Sequence, residues 1–246
     1  MTMPLEGRLA LVTGASGGIG GAIALGLAQA GADVVLTYSG HRDDAESGAA
    51  KIADLGRKAV VVQSDLSAPG AGRALITRVA EEIGTVDVLV ANAGIGAKTS
   101  WDEVDDELWD ETFAVNVTST WQLTRGVVPA MIEKGFGRVL YVSSIAAISG
   151  GIIGPHYSAS KAALHGLMHH MAARVAGSGI TVNTIAPALI AGTRILPMAA
   201  GDPPPLPIPV GHLGQVEDIS SMALAMLTNP YLTNKVISVD GGLYPN

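Results

Sequence analysis

The sequence predicts an α/β fold: a doubly wound parallel sheet of about seven strands with helices on both faces. Three observations carry this reading. Apolar runs of strand length alternate with helix-length segments along the 246 residues, and strands separated by helices imply right-handed crossovers between parallel neighbours. Hydrophobic residues make up 48% of the chain and charged residues 15%, a balance that suits strands buried on both faces. The 31 glycines fit tight strand-to-helix turns and closely packed helices.

In order, the predicted strands are Leu9 to Thr13, Val34 to Tyr38, Ala59 to Gln63, Val86 to Ala91, Val139 to Ser143, Ile180 to Ile185 and Val236 to Val239. Between the first two, Ile19, Ile23 and Leu27 recur every four residues and Gly31 follows the last turn, the pattern of a helix that buries one stripe and ends on a left-handed cap. Similar helical segments follow the later strands, one beginning near Asp105 and another near Pro155. The segment Arg194 to Leu213 is crowded with prolines and reads as a long loop. Such loops in compact domains are usually functional, so it is expected to cover a substrate site. No linker or composition shift divides the chain, and residues 1–246 are expected to form a single domain.

Composition also excludes. A formal net charge of −7 leaves no basic surface for a nucleic-acid backbone. Without cysteines there are no disulfides, thiolate metal sites or cysteine nucleophiles. Leu9 to Ala32 and Val139 to Ser160 are free of charged residues and long enough to cross a bilayer. Their glycines would leave backbone groups bare in lipid, so both read as strand, turn and helix. Met1 to Arg8 lacks the basic and apolar segments of a secretion signal. A cytoplasmic protein with no membrane partner is expected.

The turn after the first strand reads Thr13-Gly14-Ala15-Ser16-Gly17-Gly18-Ile19-Gly20. Its glycines let the backbone turn sharply, approach a pyrophosphate without a Cβ clash and present helix N-terminal N–H groups to its charge. A dinucleotide site that prefers NAD usually ends its second strand in an acid that binds the ribose 2′-hydroxyl. Here that place is Tyr38, followed by Ser39, His41 and Arg42. With no acid to repel a 2′-phosphate, NADP(H) is the expected cofactor and NAD(H) the alternative, although Arg42 also precedes the acidic helix start at Asp43 and Asp44 simply as a solvated cation. Asp65, with Leu66 beside it, ends the third strand, where an acid either accepts from an adenine amino group or caps Ser67 and its neighbours. Asn92-Ala93-Gly94 ends the fourth strand at the expected switch point, its asparagine satisfying backbone groups or lining the cofactor cleft.

Ser144, Tyr157 and Lys161 carry the sharpest chemical signal. Tyr157 and Lys161 lie four apart, on one helix face. A nearby ammonium favours the phenolate and makes the pair usable for proton transfer. Ser144, at the end of the fifth strand, can donate to a carbonyl oxygen that gathers negative charge. A tyrosine and a lysine at this spacing are also common on an ordinary helix surface.

In order and spacing, the turn from Thr13 to Gly20, Asn92-Ala93-Gly94, Asn116, Ser144 and Tyr157-Ser158-Ala159-Ser160-Lys161 resemble the short-chain dehydrogenase/reductase family, nearest to its 3-oxoacyl-carrier-protein reductase type. Val239-Asp240-Gly241-Gly242 is similar too, so the resemblance covers essentially the whole chain. It implies a Rossmann-like domain in which Tyr157 donates the proton in reduction. Lys161 would lower the phenol's pKa and hold the nicotinamide ribose, Ser144 would orient the carbonyl, and Asn116 would hold a water linking Lys161 to solvent. A homotetramer is implied as well. The family usually has Pro-Gly and a threonine after the sixth strand, contacting the nicotinamide and phosphates; here Pro187-Ala188, Ile190 and a delayed Thr193 occupy that stretch.

The expected activity is NADPH-dependent reduction of a ketone, such as a small or acyl-carrier-bound 3-oxoacyl thioester, to a secondary alcohol. An NAD-dependent alcohol dehydrogenase and a non-catalytic dinucleotide-binding sensor are the alternatives. Ile95, Ile145, Ile152, Ile153 and Leu189 favour a neutral or acyl-chain substrate. His165 and His169 have the spacing of a helical zinc pair, but Gly166 stands where a metalloprotease needs glutamate, and no metal is expected. Trp101 is a candidate for the mouth of the pocket.

Overall fold

The computed structural model describes residues 3–244; residues 1–2 and 245–246, at the ends of the expected domain, lie outside it. Chain order is β1 (Leu9–Val12), α1 (Gly18–Gln29), β2 (Asp33–Tyr38), α2 (Arg42–Asp54), β3 (Ala59–Gln63), α3 (Ala71–Glu82) and β4 (Val88–Ala91). There follow α4 (Asp106–Phe113), a π-helical stretch (Ala114–Thr118), α5 (Ser119–Lys134), β5 (Gly137–Val142) and the single turn α6 (Ala146–Ser149). The chain ends with α7 (Pro155–Val175), β6 (Ile180–Pro187), α8 (Val216–Thr228) and β7 (Val236–Val239).

All seven expected strands are present and join one parallel sheet in the order β3-β2-β1-β4-β5-β6-β7. Alternation along each strand divides the core in two. Ala10, Val12, Val88, Val90, Leu140 and Val142 pack with α1 and α8, whereas Leu11, Leu89, Val139 and Tyr141 pack with α3, α5 and α7. A parallel sheet buried on both faces needs this continuous apolar run rather than polar alternation.

β4 starts at Val88, two residues later than expected. Asp87 just before it still pairs through its backbone, its N–H donating to Leu9 O at 2.8 Å and its carbonyl accepting from Arg138 N–H at 3.0 Å, and its carboxylate Oδ2 accepts from the Leu9 N–H at 3.0 Å. That carboxylate also meets Lys134 and Arg8, at 2.9 and 3.6 Å. The helix expected from Asp105 begins as read, with the Asp105 side chain accepting from Leu108 N–H. Five residues of π-helix then separate α4 from α5, an inserted bulge of the kind common at functional sites.

Sheet order reverses between β1 and β4, and both strands end at the same edge, which opens a crevice there for a ligand. β5 ends at Val142, which delivers Ser143 and Ser144 to that edge. The proline-rich segment lies over it. Its base is pinned by Ala191 N–H to Gly214 O and Gly214 N–H to Leu189 O, at 2.9 and 3.0 Å, and it has its own apolar cluster of Ala191, Ile208 and Leu213.

Candidate active site

The crevice holds a cleft of about 740 Å³ that runs from the glycine turn to Tyr157 and Lys161. The turn is locked to β4. The Thr13 hydroxyl accepts from the N–H groups of Asn92 and Ala93, at 3.1 and 3.0 Å. Asn92 Nδ2 donates to the carbonyls of Thr13 and Gly14, at 2.9 and 3.1 Å. Gly20 lies so close beneath this lattice that a Cβ there would collide with the Asn92 amide and the Gly14 carbonyl. At Gly17, where φ is +107°, the space a Cβ would occupy is open. A closed floor beneath an open, left-handed turn at the start of α1 fits a dinucleotide pyrophosphate, and the chain offers no acid at the end of β2 to oppose a 2′-phosphate.

At the other end of the cleft α7 presents the chemistry. Pro155 occupies its first turn, where a missing N–H costs nothing, so Tyr157 and Lys161 project from the first two turns. Tyr157 packs its ring against the backbone of Gly96, where a Cβ would stand 2.6 Å from Cδ2. Burial pushes the Tyr157 phenol up from its ordinary value, offset in part by a hydrogen bond from the Ser144 hydroxyl. Lys161 is buried and donates to the Val142 carbonyl at 2.9 Å; desolvation pulls its pKa down to about 8. Burial, rather than the lysine, sets the direction of the phenol's shift here. The amine lies 5.7 Å from the ring centroid and spends a proton on a carbonyl, and burial is the larger influence on both groups.

Asn116 sits in the π-helical stretch, fully buried. Its Oδ1 accepts from Ile95 N–H at 2.9 Å, and its Nδ2 donates to Ile95 O and Ser160 Oγ at 3.0 and 2.9 Å. It thereby ties the segment after β4 to α7, rather than bonding its own helix through its side chain.

Of the expected cofactor residues, Gly14, Ser16, Gly17, Gly18, Ile19, Gly20, Asn92, Ala93, Gly94, Pro187, Ala188, Ile190 and Thr193 line the cleft together with Ser144, Tyr157 and Lys161. Tyr38, Ser39, His41, Arg42, Asp65 and Leu66 do not, and neither does Asn116 of the expected catalytic set. The Arg42 guanidinium turns along its own helix to Glu46, at 2.7 Å. Asp65 Oδ1 accepts from both the N–H and the hydroxyl of Ser67, at 3.0 and 2.8 Å, the capping arrangement that the sequence left open; those bonds hold its carboxyl below the usual range. Ile145, Ile152, Ile153 and Leu189 make the catalytic end apolar, joined by Leu196 and Leu206 from the proline-rich segment, while Ile95 stands outside the lining. Trp101 is 79% exposed and also outside it. His165 and His169 have separate partners, Ser143 Oγ at 2.9 Å and Asn234 Oδ1 at 2.6 Å.

Three residues that shape the site carry little signal in the sequence. Gly96 has no motif to mark it, Ser160 stands out only as part of the tyrosine motif, and Arg194 reads as the first residue of a loop. The adjacency of Arg194 to Thr193 was the one available signal.

A family model described as short chain dehydrogenase matches residues 8–200. The chain is 37% identical over 248 residues to a 3-oxoacyl-[acyl-carrier-protein] reductase FabG of Vibrio cholerae, covering 98% of this chain and 99% of that one. It is 34% identical over 250 residues to an L-rhamnose 1-dehydrogenase (NAD(P)(+)) of a Sphingomonas species, covering 98% of each. Among solved structures, it is similar to a blue fluorescent protein from a metagenomic library in complex with NADPH, with a TM-score of 0.90, 31% identity and coverage of 98% and 100%. Acetoin dehydrogenase YohF of Salmonella typhimurium superposes with a TM-score of 0.86 at 32% identity, with coverage of 96% and 95%. The chain therefore belongs to the short-chain dehydrogenase/reductase family, as an oxidoreductase acting on CH–OH and C=O groups.

Proposed function

We propose that this oxidoreductase reduces a neutral or acyl-chain ketone, of which a 3-oxoacyl thioester is the type, with NADP(H) as cofactor. The observation that carries the reading is that Ser144 and Tyr157 line the same apolar end of the cleft, at the far end from the glycine turn. When bound, a reduced nicotinamide supplies the hydride. The protein's own part is proton delivery and placement. Two hydroxyls side by side give a carbonyl oxygen two donors, which stabilise it as negative charge develops. A phenol held protonated by burial is in the state a proton donor needs at neutral pH. Lys161 keeps a polar, ionisable group beneath Tyr157, and Asn116 fixes the backbone around both through Ile95 and Ser160. The proline-rich segment, around 194–213, acts as a lid that completes the apolar wall.

The NADP reading rests on Tyr38, which stands where an acid would select NAD. One observation favours NAD instead: Asp44 lines the cleft beside the glycine turn. For the assembly we infer a homotetramer, supported by family resemblance and by Trp109 and Trp121, which leave about two fifths of their surface on α4 and α5 exposed (37% and 42%).

Following NADPH and NADH absorbance with a panel of ketones and a 3-oxoacyl thioester tests the proposal. Native protein is expected to turn over with NADPH, and Tyr157→Phe to lose about 1,000-fold in kcat, within the range that one positioned acid contributes. Undiminished turnover by Tyr157→Phe would remove the tyrosine from the mechanism.

A further inference from the structure

We propose that Arg194, supplied by the loop after β6, is the cation that receives the 2′-phosphate of NADP(H), and that Asp44 holds its place until the cofactor arrives. The inference rests on the NADP reading above and assigns that selectivity to a residue outside β2.

Arg194 crosses the cleft to reach the glycine turn. Its Nη2 donates to Ser16 O at 2.7 Å, its Nη1 to Ser16 Oγ at 3.3 Å, and Nη2 also meets Asp44 Oδ2 at 3.3 Å. The guanidinium thus spans the gap between the turn after β1 and the first turn of α2. The adenosine ribose of a dinucleotide lies on that side, since its 2′ position is read by residues just past the second strand. The turn itself brings no charge, because Gly14 to Gly20 contains none, and the open space at Gly17 leaves the approach clear.

Other cations are poorly placed. The cleft is lined by Lys51, Lys161 and Arg194. Lys161 belongs to the catalytic end. Lys51 lies seven residues beyond Asp44 on α2, about 10 Å along a helix axis. Arg42 turns along its own helix to Glu46 and does not line the cleft. A planar guanidinium is also the side chain best matched to a phosphate, which it grips through two parallel N–H groups.

Asp44 explains how such a cation is kept in a chain of net charge −7. The Arg194 and Asp44 side chains are 53% and 59% exposed, so the pair is weakly held and exchangeable. A phosphate monoester, with more charge and three acceptor oxygens, displaces the carboxylate. Thr193 accepts from Leu196 N–H and donates to Ile190 O, both at 3.1 Å, which makes residues 190–196 a compact turn. Gripping the cofactor through Arg194 therefore fixes the same turn that carries Leu196 into the substrate wall.

The test is direct binding, by calorimetry or by nicotinamide fluorescence, of NADPH, NADH, adenosine 2′,5′-bisphosphate and 5′-AMP to native protein, Arg194→Gln, Arg194→Lys, Asp44→Asn and Lys51→Met. The expected result is a loss of about 10- to 100-fold for NADPH and the bisphosphate in Arg194→Gln, as for a charge-assisted hydrogen-bonded contact. NADH and 5′-AMP should change less than about twofold, Arg194→Lys should recover part of the loss, and Asp44→Asn should tighten NADPH. Equal losses for NADPH and NADH in Arg194→Gln would move the guanidinium to the pyrophosphate or to a merely structural role and overturn the proposal. So would no loss, or a selective loss in Lys51→Met instead. A native chain that binds NADH more tightly refutes the NADP reading on its own, because Arg194 is judged by the change in the NADPH-to-NADH ratio on substitution.

Discussion

Lys161 shows what burial does to a single ionisable group. The amine has its proton held to about pH 8 rather than 10.5 because desolvation disfavours the charged form. Between those two pH values an unfolded chain carries more protons than the folded one, so this group makes the protein more stable as pH rises through 8 to 10.5. Lys161→Met removes the effect. The variant should be more stable than native protein at pH 7, and that advantage should shrink by up to about 3 kcal/mol by pH 10.5. Urea unfolding of both proteins at the two pH values checks this; a difference independent of pH would show that the amine is not desolvated. The spacing of Tyr157 and Lys161 was enough to place both on one helix face. It could not reveal that the lysine would turn to the Val142 carbonyl, because that acceptor comes from β5, a distant part of the chain. Asp65 and Arg42 differ for a similar reason: each found a partner within four residues, Ser67 and Glu46, and local pairing competes with any ligand.

Among the elements, α7 depends on the segment after β4 as much as on its own sequence. Asn116 clamps that segment through Ile95 and reaches Ser160 on α7, while Gly96 gives the Tyr157 ring its bed. Gly96→Ala would put a methyl group 2.6 Å from the ring carbon Cδ2 and push the phenol away from Ser144. A displacement of this size should lower kcat by about 100-fold while the affinity for NADPH, read at the glycine turn, changes less than about twofold. Unchanged kcat in a folded variant would mean that the ring has room to move without consequence. Helices α1 and α7 were legible because their apolar stripes, glycines and Pro155 are local signals. The π-helical stretch was not, since one extra residue per turn hardly disturbs a short apolar pattern, and its role shows only in where Asn116 points.

For the whole molecule, alternation of apolar strands and helices sufficed to predict the parallel sheet, because crossover handedness leaves few arrangements. All seven strands and the crevice between β1 and β4 follow from it. The segment from Arg194 to Leu213 had no such pattern. It is held by a small tertiary cluster and by Arg194 on Ser16, contacts between residues up to 178 positions apart, so sequence could name it a loop but not place its arginine. The central claim is that this fold joins a dinucleotide turn to a proton-donating tyrosine for carbonyl reduction. It is tested most directly by incubating the protein with a 3-oxoacyl thioester and NADPH deuterated at the transferable C4 position, then locating the label by mass spectrometry. The account predicts deuterium on the carbon that gains the hydroxyl in native protein and almost none with Tyr157→Phe; NADPH binding without transfer to this thioester or to any ketone of a broad panel would contradict it and leave a dinucleotide sensor.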